Sequence, residues 1–266
     1  MDRALAQLLA SAEKVDGVPA FNEEAQFAAP AEVIRVERDG ELRGAAVNQP
    51  SFGTAQLVVH PAHRRQHIGS ALLAGLPPDA KLWAFGNLTA ARAFAAHHGY
   101  HAGRELLQML RPLRKGEFVP QPFAPFRAGD AAALLDVNAR AFAHHPEQGA
   151  LDEAGLQARM AEPWFRPEDL LLAWEGDTLL GFHWLKRETP GVGEVYVLAV
   201  APEAQGRGLG TRLLEAGLAR LAAEGDTSST LYVEAAEVIP VHLYRQLGFK
   251  VITTDVLYER EVDEHV

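Results

Sequence analysis

The sequence predicts an α/β chain, more closely an α+β mixed sheet, in two tandem copies of one unit, each a twisted mixed sheet flanked by helices. Two matched repeats and the break between them carry that prediction. AQLVVHPAHRRQHIGSALLAGL (Ala55–Leu76) and EVYVLAVAPEAQGRGLGTRLLEAGL (Glu194–Leu218) both run from an apolar strand through a proline and a loop into a helix, 141 positions apart (Gly69 against Gly210). KLWAFGNLTAARAFAAHHGY (Lys81–Tyr100) and TLYVEAAEVIPVHLYRQLGF (Thr230–Phe249) both read as strand, short loop, helix and a glycine–aromatic stop. Two blocks recurring in the same order mark an internal duplication. Between the copies, a proline-rich stretch has neither strand nor helix period and reads as an extended linker over 113–125. The units are therefore 1–112 and 126–266.

The elements of the second unit follow from local pattern. Asp130–His144 spaces Ala132, Leu135, Ala139 and Phe142 for one helix face. LLLAWEG (170–176) and LLGFHWLK (179–186) read as strands around a Gly-Asp-Thr turn. EVYVLAV is a buried strand leading into the glycine loop and its helix. TLYVEA is another strand, VIPVHLYRQLG another helix, and Lys250–Glu259 a last strand. Pro240 falls in the first turn of its helix, where a missing N–H costs nothing.

Composition narrows the function classes. The chain has 266 residues and no cysteine, which excludes a disulfide framework, a thiolate metal site and a cysteine nucleophile. The N-terminus MDRALAQLLASAEKVDG is too acidic and too weakly apolar for a signal peptide, and no run of 18 apolar residues is present. A cytoplasmic protein, with no membrane partner, is expected. Residues 1–112 hold 11 Lys+Arg against 11 Asp+Glu, and residues 113–266 hold 14 against 24, so the second half carries the whole net charge of −10. That surface argues against nucleic acid, which needs a basic footprint. The eleven histidines lack the spacing of a zinc site, and no metal is expected.

The loop QGRGLG, after a strand ending in VAP and before a helix, is suited to an anion. The first N–H groups of a helix lack internal partners and its dipole makes that end partly positive. Glycines let an anion approach, and Arg207 adds a charge-assisted donor. The glycines alone fit either this or a turn that only opens a helix. The spacing differs from a Walker loop and from G-x-G-x-x-G.

The Q-x-x-G-x-G loop (Gln205, Gly208, Gly210) after a V-x-P strand end, together with LYRQLGF (Leu243–Phe249), resembles the GCN5-related N-acetyltransferases. The resemblance implies acetyl-CoA as co-substrate, its pantetheine arm along Leu198, Ala199 and Val200, and its pyrophosphate over Gln205, Gly206, Arg207, Gly208, Leu209, Gly210 and Thr211. Tandem units carrying GFHWLK, GEVYVLAV and LYVEA, with LVVHP and RELLQMLRPLR in the first, are similar over nearly the whole chain to the mycothiol synthase family. That family acetylates the cysteinyl amine of a Cys–glucosamine–inositol precursor, and its C-terminal unit is the catalytic one. A small-molecule acceptor amine and a monomer are the implied partner and state.

By the same resemblance Glu194 is the general base, against the plainer reading of a strand-end carboxylate. Tyr244 is the acid for the coenzyme A thiolate, and it can also pack its helix on the sheet. Glu147, Lys186, Tyr232 and, in the first unit, Glu23 are the implied acceptor readers. Arg187 is an alternative to Lys186, and Glu24 to Glu23. Glu237 and His242 fall at coenzyme positions where the family has Asn and often Arg. In the first unit the coenzyme positions are Leu57, Val58, Val59, Arg65, Gly69 and Ser70. There His67 replaces the glycine matched by Gly208, and Phe94 or Ala95 takes the place of Tyr244. The first unit is expected to be catalytically silent.

Overall fold

The computed structural model describes residues 2–22, 25, 32–144, 146–149 and 151–261. They form two compact units. The first comprises Met1–Leu107 with Glu234–Glu237 and Thr253–Val266; the second comprises Gln108–Val233 and Val238–Ile252. The first unit thus takes a segment from the far end of the chain.

In the first unit, α1 (Arg3–Asp16) is followed by β1 (Val33–Arg38), β2 (Glu41–Gln49), β3 (Thr54–Val59), α2 (Ile68–Ala74), β4 (Lys81–Ala84), α3 (Thr89–His97) and β5 (His101–Pro112). Asp2 caps α1 by accepting the Leu5 N–H at 2.9 Å, and Gly17 ends it in the left-handed conformation. The strand order is β1-β2-β3-β4, antiparallel except for the parallel β3–β4 pair. β11 (Lys250–Glu259), the last strand of the chain, closes that sheet by pairing antiparallel with β4 through Val256–Tyr258. Ala46, Ile68, Leu72 and Leu82 are buried in one cluster of this unit; Leu5, Leu8, Ala45 and Val47 are buried in another.

The second unit holds β6 (Ala124–Pro125), α4 (Ala131–Ala141), α5 (Pro146–Gly149), α6 (Glu153–Met160), β7 (Leu170–Glu175), β8 (Thr178–Lys186), β9 (Val192–Val200), α7 (Leu209–Ala223), β10 (Ser228–Glu234) and α8 (Val238–Gln246). Its strands run β6-β7-β8-β9-β10, with β9–β10 parallel and the others antiparallel. The end of β5 borders β10, where the Thr230 hydroxyl donates to the Met109 carbonyl at 3.0 Å. The mixed sheet flanked by helices in each unit is the architecture that the repeats predict.

Packing on the two faces of this second sheet fixes the site. Phe182 and Trp184 are fully buried with Leu134 and Val137 of α4 and with Leu170 and Leu172 of β7. Burial of side chains of this size stabilises by roughly 1.5–3 kcal/mol each. On the other face α7 lies so close that a Cβ at Gly217 would fall 2.2 Å from the His183 ring, which is fully buried beneath it. Glycine is required there by close approach.

Candidate active site

β9 and β10 pair only from Val192–Ser228 to Val195–Leu231 and then diverge. Among the described residues the rest of β9 pairs with β8 on one side and with no strand on its other, open edge. The Ala201 N–H donates to the Leu180 carbonyl on β8 at 2.8 Å. Backbone groups alternate along a strand, so the N–H groups of Leu198 and Val200 point to the open edge. The Val200 carbonyl on that edge accepts the Gln205 side-chain amide at 3.1 Å, which ties the loop to the strand.

A β-bulge sits where the strands part. The β8–β9 register slips between Trp184–Val197 and Leu185–Val195, leaving Tyr196 as the extra residue. Directly paired residues share a face, so Glu194 lies beside its partners Lys186 and Thr230 on the face that carries Trp184. Without the bulge, strict alternation would separate Glu194 from Val197 and Ala199. Lys186 forms an ion pair with Glu188 at 2.8 Å, and its ammonium lies 5.4 Å from the Trp164 ring centre. Arg187 turns away: its Nε donates to Asp226 at 2.7 Å, near Glu224. Of the two basic candidates, Lys186 is the one beside Glu194. Tyr232, two residues beyond Thr230 on β10, is exposed and its hydroxyl accepts from the Gln108 amide at 2.9 Å.

The glycine loop leads from a short 3-10 turn at Pro202–Ala204 into α7. Gly206 and Gly208 take positive φ of 71° and 73°, and an added Cβ at either would meet nothing within 4 Å. Conformation, not crowding, favours glycine at these two positions. Gly208 is the N-cap of α7 and makes no side-chain cap, and no acidic residue occupies the first turn. The turn formed by Leu209, Gly210 and Thr211 therefore offers uncapped N–H groups in a positive field.

Tyr244 on α8 is buried against Phe249, ring centres 5.8 Å apart, and burial pushes its hydroxyl up to about 12. It is a neutral phenol at physiological pH. His242, on the same helix, is exposed, and Glu237 lies just ahead of the helix with its N–H on the Glu234 carbonyl at 3.0 Å. Glu23 lies outside the described residues; Glu147 belongs to α5, and its side chain lies outside them. Among the described residues no group of His, Asp and Glu is arranged to hold a metal, and no helix is long and apolar enough to cross a membrane.

Residues 134–249 match the acetyltransferase (GNAT) family, and residues 29–112 match an acetyltransferase (GNAT) domain. The mycothiol acetyltransferase of Geodermatophilus obscurus is 42% identical over 97% of this chain and 93% of its own. That of Streptomyces avermitilis is 43% identical over 97% and 91%. The chain belongs to the mycothiol acetyltransferase family. Among solved structures, a GCN5-related N-acetyltransferase from Sphaerobacter thermophilus superposes with a TM-score of 0.75 at 22% identity, over 97% of this chain and 91% of that one. A tandem GNAT protein from the clavulanic acid biosynthesis pathway gives 0.63 at 17%, over 97% and 94%. Both share the fold. The chain is an N-acetyltransferase by family, and acetyltransferases of the GNAT family use acetyl-CoA as co-substrate.

Two GNAT units are present, and the paired strands align them residue by residue. Trp184–Val197 corresponds to Val47–Gln56, and Lys186–Glu194–Thr230 corresponds to Gln49–Thr54–Lys81. Thr54 thus stands where Glu194 stands, and β2–β3 runs without a bulge. The Tyr100 N–H bonds the Ala95 carbonyl at 2.9 Å as the Phe249 N–H bonds that of Tyr244 at 3.0 Å, which makes Ala95, not Phe94, the counterpart of Tyr244. A cavity of about 680 Å³ opens in this first unit. Leu57, Val58, Val59, Arg65, Gly69 and Ser70 all line it. Thr230, Trp164 and Tyr196 are not among the residues expected from sequence; Thr230 and Tyr196 lie within stretches that read as strands, and only strand register gives them their places.

Proposed function

We propose that the second unit transfers the acetyl group of acetyl-CoA to the cysteinyl α-amine of a Cys–glucosamine–inositol acceptor, yielding mycothiol. The observation that carries this reading is the placement of Glu194, Lys186 and Thr230 on one sheet face at the point where β10 leaves β9, in a member of this family. The open edge at Leu198 to Val200 suits the amide groups of a pantetheine arm. The uncapped start of α7, with Gln205 to Thr211, suits a pyrophosphate. Glu237 and His242 are the further coenzyme contacts of this reading.

Glu194 takes the proton from the amine, whose reference pKa near 8 demands only modest assistance. The amine nitrogen bonds to the thioester carbon, the backbone N–H near Leu198 stabilises the developing oxyanion, and the carbon–sulfur bond breaks. Tyr244 supplies a hydrogen bond and a proton to the departing thiolate. Its burial keeps that proton in place until the sulfur becomes basic. Lys186, Tyr232, Glu147 and Glu23 would read the acceptor. A second acetyl-CoA molecule is suited to the first unit's cavity, but with Thr54 and Ala95 in place of base and acid it would not react there.

Coenzyme A release tests the acceptor. The purified protein should release it saturably with acetyl-CoA and the cysteinyl-glucosaminyl-inositol amine. It should not do so with glucosaminyl-inositol lacking the cysteine. Release at the rate of acetyl-CoA hydrolysis in both mixtures would refute this acceptor.

A further inference from the structure

The sheet face that carries Glu194 also carries an aromatic group given no role above. Trp164, from the segment after α6, lies 6.0 Å from Trp184 and 5.3 Å from Tyr196 between ring centres, and Trp184 and Tyr196 meet edge-on at 5.5 Å. The Lys186 ammonium sits 5.4 Å from the Trp164 ring centre and 5.9 Å from that of Tyr196. Arg159 on α6 donates its Nε–H to the Tyr196 hydroxyl at 2.9 Å and an Nη1–H to the Gly155 carbonyl at 3.1 Å. Trp184 is fully buried, whereas Trp164 and Tyr196 are only half-buried. Tyr196 is the bulge residue itself, with no counterpart in the first unit's uninterrupted β3.

A lysine ammonium on a four-carbon stem has no preferred direction of its own. Glu188 is 59% exposed, so its ion pair is screened and fixes little. The rings add a hold of their own, because a cation over an aromatic face in a partly dry setting is held electrostatically. The bulge turns Tyr196 to the Trp184 side, and Arg159 anchors its hydroxyl.

We propose that Trp164 and Tyr196, the latter anchored by Arg159, position the Lys186 ammonium for the hydroxyl-rich sugar portion of the acceptor. They are positioning residues that set acceptor specificity without taking part in proton transfer. The proposal rests on the acceptor reading given above.

The test compares two acceptors, the full cysteinyl-glucosaminyl-inositol amine and cysteinamide, which has the amine but no sugar. Trp164→Leu is expected to raise KM for the full acceptor about tenfold, the scale of one desolvated cation–aromatic contact. It should leave kcat, KM for acetyl-CoA and kcat/KM for cysteinamide unchanged. Trp164→Phe, which keeps a ring, should recover most of the loss, and Tyr196→Leu should behave like Trp164→Leu. Equal loss with both acceptors, or loss with neither, would overturn the proposal. The acetyl-CoA KM separates either result from misfolding. A wild-type protein with no preference for the full acceptor would overturn the acceptor reading, and this proposal with it.

Discussion

The loop at residues 64–70 and the loop at 205–211 share a backbone and differ in chemistry. In the second unit Gly206 and Gly208 hold the positive φ values. In the first, Arg65 and His67 hold the same conformation at 64° and 61°. Side chains in that region cost on the order of 1 kcal/mol each. The tie from loop to strand persists: the Arg64 Nε donates to the Val59 carbonyl at 3.3 Å, as the Gln205 amide does to Val200. Arg64 is further engaged by Asp16 through two bonds at 2.8 and 2.5 Å. The frame is shared while the side chains proposed to act are not, since Thr54, Ala95 and Gln49 stand where Glu194, Tyr244 and Lys186 stand. Packing has drifted in compensated pairs. Under the loop helix, the first unit places Ala46 with Leu76, and the second places His183 with Gly217, so small and large exchange sides.

Apart from the change at Glu194, the largest effect separating the units is expected at Tyr244, the proposed acid. Tyr244→Phe should lower kcat about 10²-fold, the lower end for a proton donor. Because burial holds the Tyr244 hydroxyl up at about 12, the wild-type profile of kcat/KM should rise through the amine titration near pH 8 and stay level to about pH 10. A falling limb near pH 9 that vanishes in Tyr244→Phe would contradict this assignment.

Next comes the buried histidine, which the first unit replaces with Ala46. The His183 Nδ1 lies 2.8 Å from the Leu213 carbonyl, and burial lowers its pKa from 6.5 to about 4. The unfolded chain takes up this proton near 6.5 and the folded chain only near 4. The contribution is complete above pH 6.5 and is lost as pH falls through that interval, by about 3 kcal/mol in all. Urea unfolding at pH 7 and pH 4.5 should show the drop. In His183→Gln, which does not titrate, the pH dependence over that interval should shrink.

A smaller effect is expected from making the second loop like the first. Gly208→His keeps the backbone but brings an imidazole to the start of α7, and should raise KM for acetyl-CoA about tenfold with kcat little changed. The smallest is the reverse change. His67→Gly relieves the positive φ and should raise stability by about 0.5–1 kcal/mol after the entropy that glycine costs, as read by urea unfolding.

The duplication, the strands from β7 to β11 and the loop geometry were legible because periodicity and glycine placement are local signals. β11 was read to its ends, Lys250 and Glu259. The helix over Asp130–His144 proved shorter, Ala131–Ala141, preceded by a 3-10 turn at Ala128–Asp130. The first helix, Arg3–Asp16, was overlooked although Leu5, Leu8 and Ala12 face one way and Asp2 caps it. Other features had no local signature. The bulge at Tyr196 is invisible in EVYVLAV, which reads as an unbroken strand, yet it decides the face on which Glu194 lies. The place of the last strand in the first unit depends on pairing across more than a hundred residues, as in Trp83 with Leu257. The group of Trp164, Tyr196 and Arg159 assembles from α6, the segment after it and β9, and no spacing in the sequence foretells it.

The most direct measurement is coenzyme A release by Glu194→Thr, which gives the second unit the residue that the first already has. The account predicts a fall in kcat/KM of about 10²–10⁴-fold, with the acetyl-CoA KM and the melting temperature unchanged. Turnover within a few-fold of wild type would contradict it, placing the base elsewhere and removing the reason for proposing that the first unit is silent.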